Sequence, residues 1–262
     1  LLSNPEITVV HLVWGPLGPD YLQRFIDSYL EHPAGVAHDL VLAYNGIENA
    51  QQEAQLDRVV ADVPHRKITL PEPVQDLPAY QEAAQQHPSQ YYLFANSYCH
   101  VLVDGWLELL LKHARREDVG MVAPSGSYES MSTAAPWWLK PLRLIGFARF
   151  PNAHLRTGVF MLSNKMIESL DWPPVKTKQD AWKLENGRKG FSAQVAKRGL
   201  KLIVAGADGV GYEPPDWRAS DTFRTGEQSN LVIADNRTDD YARGTPEERE
   251  FLAGYAWSGT AK

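Results

Sequence analysis

The stretch YYLFANSYCHVLVDGWLELLL, Tyr91–Leu111, decides how the chain is read. It opens as an apolar β-prone run and delivers a polar cluster at Asn96, Ser97 and Tyr98. It then passes Asp104, placed to cap the next helix, into a helical pattern. A strand that ends in polar side chains and turns into a helix is the repeating unit of an open α/β sheet. Ligands of such sheets gather at the carboxyl ends of the strands. Asn96–Tyr98 therefore marks one wall of a candidate site, built without the carboxylates of a metal–nucleotide site.

The same unit repeats along the chain. ITVVHLVWG (7–15) reads as a strand closed by Gly and Pro, and the next helix spaces Leu22, Phe25, Ile26 and Tyr29 along one face. HDLVLAYNG is a second strand, NAQQEAQLDRVVADV a second helix, RKITL a third strand and LPAYQEAAQQH a third helix. VGMVAPSG is a fifth strand after Tyr91–Ser97. The alternation predicts a mostly parallel sheet flanked by helices. The expected strand ends are Trp14-Gly15, Tyr44-Asn45-Gly46, Asp76, Asn96-Ser97-Tyr98 and Ser125-Gly126-Ser127. Asp76 is expected to cap the third helix as well as to face a ligand.

From Tyr128 to Asn152 the periodicity is lost, which reads as an irregular segment, a helical flap over the sheet edge. LRTGVFMLSNKMIESL resumes with a strand and a helix, and LKLIVAG is the last expected core strand. The polar course from Tyr212 reads as a tail with a mobile end, so the expected division is a domain over 1–211 and a packed tail over 212–262.

Composition narrows the function classes. The 262 residues suffice for one large domain or two small ones, and 44% hydrophobic with 22% charged residues is ordinary for a globular core. A net charge of −6 without any Lys/Arg run argues against nucleic acid. Cys99 stands alone, which excludes an internal disulfide and fits a reducing compartment. The expected location is cytoplasmic, free or at the inner face of the membrane as a peripheral protein. The chain opens on Leu1, so it reads equally as a domain of a larger protein. WGPLG and GADGVG lack the spacing and placement of ATP- or NAD-binding loops.

The order of these features resembles the GT-A glycosyltransferases, in particular the large inverting group called family 2. The resemblance covers roughly Ile7–Gly209. VVHLVWGPLGPDYLQRFIDSYLEH with DLVLAYNG is similar to the opening unit that holds the nucleotide base. YYLFANSYCHVLVDGWLELLL is similar to the strand, Asp-x-Asp metal motif and helix. KLENGRKGFSAQVAKRGLKLIV resembles the unit that carries the catalytic base. Here Asn96 and Tyr98 stand where the two Asp would be. Tyr is a poor ligand for a divalent metal near neutral pH, because its phenol titrates near ~10.

The resemblance implies a nucleotide-sugar donor, a glycan or lipid-linked acceptor of polysaccharide or lipopolysaccharide type, and inversion. Glu185 takes the place of the base, with Asp180 as the alternative. Trp14, Asn45, Asp76, Asn96, Ser97 and Tyr98 are the expected nucleotide and donor contacts. Arg156, Arg218 and Arg224 are candidates for the leaving diphosphate, since arginine binds phosphate oxygens in a bidentate manner. Trp137, Trp138 and Trp217 are candidates to stack on sugars. No residue is assigned to a metal. Mn or Mg stays open as a cofactor, with His100 a lone substitute ligand and Cys99 and His154 the nearest soft donors. Two other classes stay open: a GT-A-like binding module that has lost catalysis, and a nucleotidyltransferase-like enzyme, for which the first loop offers only Arg24.

Overall fold

The structure, a computed structural model, describes residues 6–132 and 144–259. Its strands are β1 (Ile7–Trp14), β2 (Asp39–Asn45), β3 (Arg66–Thr69), β4 (Tyr91–Ala95), β5 (His100–Val101) and β6 (Val119–Ala123). They continue as β7 (Gly126–Ser127), β8 (His154–Leu155), β9 (Val159–Ser163), β10 (Lys201–Ala205), β11 (Gly211–Tyr212) and β12 (Ile233–Ala234). Eight of them form the main sheet in the order β11-β10-β6-β9-β4-β1-β2-β3. The pairs β1–β2, β1–β4, β2–β3 and β6–β10 are parallel, as the alternation predicts.

The central strands β1, β2, β4, β6 and β9 are largely apolar because both faces are covered, whereas the edge strand β3 exposes Arg66, Lys67 and Thr69. In β1, Val10 and Leu12 point to one core, and Ile7, Val9 and Val13 to the other. The second core is closed by α1 (Pro19–Glu31), α2 (Ala50–Val59) and α4 (Trp106–Ala114), which contribute Phe25, Leu56 and Trp106. The first is closed by α3 (Asp76–Gln86), the helices Lys178–Asn186 and Phe191–Lys197, and a C-terminal contribution from Trp217, Phe223 and Trp257.

Three features differ from the sequence reading. β9 runs antiparallel to both β4 and β6. Lys201–Ala205 is not the last strand: β11 folds back on its edge, and β12 pairs with β5 just beyond Tyr98. Asp104 does not cap α4; the N-cap is Gly105 at φ +71°, and Asp104 pairs with His32 at 2.8 Å. Trp137 and Trp138 lie outside the described residues. Among the described residues no helix is long and apolar enough to cross a membrane.

His11 departs from the apolar pattern of β1. Its ring stacks on Phe25 with centroids 3.7 Å apart and is fully buried. Neither ring nitrogen has a hydrogen-bond partner among the described residues. Burial lowers its pKa from 6.5 to about 3. The folded protein therefore keeps His11 neutral, whereas the unfolded chain takes up a proton below about 6.5. Stability is lost as pH falls from about 6.5 towards 3, by at most about 1.4 kcal/mol per pH unit. His11→Leu is expected to flatten that acid arm and to hold or raise stability at pH 7, because two unsatisfied polar atoms leave the core. Urea unfolding of both proteins between pH 4 and 7 measures this; parallel pH profiles would contradict it.

Candidate functional site

The parallel strands β1, β2 and β4 end at one edge of the sheet, and a cleft of about 380 Å³ opens there. That volume lies at the lower end of the range for small-molecule sites. Leu12 and Trp14 of β1 line it together with Asn96, Ser97 and Tyr98, the residues after β4. The Trp14 N–H donates to Ser97 Oγ at 3.0 Å, so the two strand ends are fastened side by side. Gly46 backs Trp14 closely: a Cβ there would lie 2.6 Å from the indole, and its φ is +68°.

Asn96 forms a local turn. Its Oδ1 accepts from the Tyr98 N–H at 3.0 Å and from Cys99 Sγ at 3.2 Å. The Tyr98 ring packs edge-on against Tyr21 with centroids 5.1 Å apart. Burial, then Tyr21 and Asp76, raises the Tyr98 phenol pKa, which keeps it a neutral donor.

The second wall is the segment Val74–Leu77 leading into α3. Asn45 holds it from behind: its Nδ2 donates to the Val74 carbonyl at 2.8 Å and its Oδ1 accepts from the Val74 N–H at 3.0 Å. Asn45 is itself fully buried and stands outside the cleft lining. Contrary to its expected contact role, it supports the wall. Asp76 occupies the first turn of α3, whose N-cap is Gln75, so the expected cap is also corrected. Its carboxylate meets the water in the cleft, yet protein atoms crowd it closely. That desolvation, and then the charge of Glu185, raises its pKa.

The third wall is the helix Lys178–Asn186, which lines the cleft with Lys178, Ala181, Trp182 and Glu185. Their i, i+3, i+4, i+7 spacing puts them on one helical face. Thr177 caps this helix, and Asp180 completes the capping box, with its carboxylate accepting from the Thr177 N–H and hydroxyl. Asp180 thus serves the helix terminus and stands outside the lining. Glu185 reaches the cleft, with Oε1 accepting from the Thr157 N–H at 3.2 Å and 3.9 Å from Arg156 Nη1.

Behind Glu185 lies a buried charge cluster. The Glu129 carboxylate bridges two guanidinium groups, Arg156 Nη1 on Oε2 at 3.0 Å and Arg224 Nη1 on Oε1 at 2.5 Å. The two guanidiniums also flank the Phe223 ring, at 5.2 and 5.0 Å from its centroid. Burial works against the Arg156 charge, but Glu185, Glu129 and Asp235 outweigh it and hold it protonated. At Arg224 desolvation outweighs the pull of Glu129 and lowers its pKa. Asp235 caps the helix Asn236–Arg243 and comes close to Asn96 across Gly158. A Cβ on Gly158 would lie 2.6 Å from Asp235 Oδ2 and 3.2 Å from Asn96 Nδ2.

The remaining expected contacts fall elsewhere. Trp217 is fully buried, donates Nε1–H to the Tyr212 carbonyl and stacks near Tyr128, so it has no free face for a sugar. Arg218 is exposed and outside the cleft lining. Sequence reasoning missed Lys178, Trp182, the Thr157 N–H and Asp235. The helical-face spacing of Lys178–Glu185 and the Thr177-x-x-Asp180 capping pattern would have found the first two.

Among the described residues, the polar groups expected to meet a divalent metal are already engaged. Asn96 Oδ1 already accepts twice, and Tyr98 is a neutral phenol. His100 Nε2 is 2.8 Å from the Arg24 guanidinium, and Glu129 is held by two arginines. His154 is buried, with Nδ1 2.8 Å from the Asn152 carbonyl. Among the described residues no three His, Cys, Asp or Glu converge on a point where a metal ion could sit.

No family model matches the chain, and no curated protein matches it in sequence. Solved structures match it in fold. Mannosyltransferase PcManGT from Pyrobaculum calidifontis, in complex with GDP-Man and Mn2+, superposes with a TM-score of 0.52 at 12% identity, over 84% of this chain and 61% of that one. GalNAc-T7 with UDP, GalNAc and Mn2+ gives 0.54 at 13% identity, over 97% of this chain and 53% of that one. The chain thus spans less than two thirds of either neighbour. The likeness establishes the fold, which is that of the GT-A glycosyltransferases.

Asn45→Ala is expected to cost about 1–3 kcal/mol, because it leaves the Val74 N–H and carbonyl without their buried partner. Urea unfolding measures it. A change below about 0.5 kcal/mol would mean that Asn45 does not hold the wall.

Proposed function

We propose that the chain is an inverting glycosyltransferase that takes a sugar from a nucleotide-sugar donor and passes it to a glycan or lipid-linked acceptor. The acceptor class is cell-surface polysaccharide or lipopolysaccharide. One observation carries the reading. A carboxylate, Glu185, opens into a cleft at the carboxyl ends of parallel strands, with one oxygen fixed by a main-chain N–H.

In this reading the nucleotide lies across Trp14, Asp76 and Asn96, the two strand ends and the α3 entry. Trp182 offers an aromatic face to a sugar on the opposite wall. Glu185 accepts the proton of the acceptor hydroxyl as that oxygen attacks the anomeric carbon. The new carbon–oxygen bond forms on the face opposite the diphosphate, the bond to the diphosphate breaks, and the configuration inverts. The departing diphosphate needs cationic or dipolar stabilisation. Lys178 in the cleft wall and Arg237, whose charge reaches Tyr98, are placed for it. Arg156 and Arg224 are committed to Glu129 and are set aside for that role. No step of this account is routed through a divalent metal.

A second reading, a GT-A-like domain that binds without catalysing inside a larger glycan-assembly protein, is favoured by Asn96 and Tyr98 standing where the resemblance expects acids. Turnover separates the two. Glu185→Gln is expected to lower transfer by roughly 100-fold or more while donor binding persists. EDTA is expected to change the wild-type rate little. Full activity in Glu185→Gln removes the base assignment, and loss in EDTA with rescue by Mn2+ reveals a metal site formed together with the donor.

A further inference from the structure

We propose that Arg156 is a positioning residue for the Glu185 carboxylate, and that Glu129 and Arg224 regulate how strongly it acts. The inference rests on the reading of Glu185 as the base and assigns the buried cluster behind it.

The geometry ties the four groups into one unit. Arg156 and Thr157 are consecutive, so the turn between β8 and β9 that carries the guanidinium also delivers the N–H that fixes Glu185 Oε1 at 3.2 Å. Arg156 Nη1 stands between two carboxylates, 3.0 Å from Glu129 and 3.9 Å from Glu185. Asn152 Nδ2 donates to the carbonyls of both Glu129, at 3.3 Å, and Asn186, at 2.7 Å. The chain beside Glu129 is thereby fastened to the residue after Glu185.

The far end is held with equal care. Arg224 sits at φ +47°, a left-handed conformation that arginine rarely adopts. Its N–H donates to Gln228 Oε1 at 2.9 Å, and its carbonyl accepts from Trp257 Nε1 at 3.2 Å. Those contacts hold an unfavourable backbone in place, and the result is a guanidinium 2.5 Å from Glu129. Glu129 and Asp235 both act on these guanidiniums, so the charge that Arg156 presents to Glu185 is set by how it is shared with those acids.

The other titratable groups facing Glu185 are few. His154, in β8 just before Arg156, is kept neutral chiefly by burial. Asp76 faces it from α3, and Lys178 lies on its own helix. Asp235 acts on both Arg156 and Arg224. Arg156 is therefore the guanidinium that faces the Glu185 carboxylate and can hold its orientation.

The test is a 13C-carboxyl NMR titration of glutamate-labelled protein, with the Glu185 signal assigned by Glu185→Gln. Arg156→Met is expected to move the Glu185 midpoint to higher pH, by about one unit, which is a tenfold change in proton affinity. Arg156→Lys keeps the charge and should restore part of the shift. Glu129→Gln frees Arg156 for Glu185 and should move the midpoint to lower pH. Arg224→Met should move it upward by less than Arg156→Met, and it keeps the test open if a Glu129 variant does not fold. Shifts of opposite sign for Arg156→Met and Glu129→Gln support the proposal. No shift in the Arg156 and Arg224 variants, or one common direction for all, overturns it. The titration needs no turnover: the expected shifts in a protein without transferase activity retire the base reading, and normal transfer without the shifts retires this inference.

Discussion

One antiparallel strand decides what stands at the edge of the sheet. β9 lies between β4 and β6, and its first residue, Val159, is level with Ala95, the last residue of β4. The chain entering β9 therefore arrives where β4 leaves. The Asn96 N–H donates to the Gly158 carbonyl at 2.9 Å, which locks that meeting. Had β9 run parallel, Arg156 and Thr157 would lie at the opposite end of the sheet, and Glu185 would have lost both its N–H donor and its neighbouring cation. The three walls of the cleft and the charge cluster behind it all depend on this register.

The cluster shows which electrostatic arrangement the fold supports. A buried carboxylate is costly unless it is paired and hydrogen-bonded. Glu129 meets that condition with two arginines, and Glu185 meets it with a main-chain N–H and a share of Arg156. At Asp76, desolvation and then the charge of Glu185 raise the pKa, against a smaller opposing pull from Lys178. The cleft thus holds two carboxylates in unlike surroundings.

Much of the fold was legible in the sequence because it is written in local periodicity. The period-2 and period-3.6 runs from Ile7 to Leu111 name the strands and helices, and the polar residues at strand ends name Trp14, Asp76 and Asn96. Strand direction is not written that way: VFMLS reads the same whether it runs parallel or antiparallel. Asn45 and Trp217 had the right residue types for ligand contacts, but their partners, Val74 and Tyr212, are backbone atoms that no pattern announces. The Glu129–Arg224 pair joins residues 95 positions apart, and the segment that carries Arg224 and Asp235 looks like a polar tail until Phe223 and Trp257 are seen in the core. Arginine in that segment suggested phosphate; the fold turned it inward to a glutamate instead.

The central claim is that the cleft bounded by Trp14, Asp76, Asn96 and Glu185 is a nucleotide-sugar site. Isothermal titration of the protein with UDP-, GDP-, dTDP- and CMP-linked sugars, with and without Mn2+, tests it most directly. The account predicts saturable binding of at least one donor, little dependence on Mn2+, and loss of that binding in the folded Asp76→Ala, Asn96→Ala double variant. Binding that persists unchanged in that variant, or no binding of any donor, would contradict it.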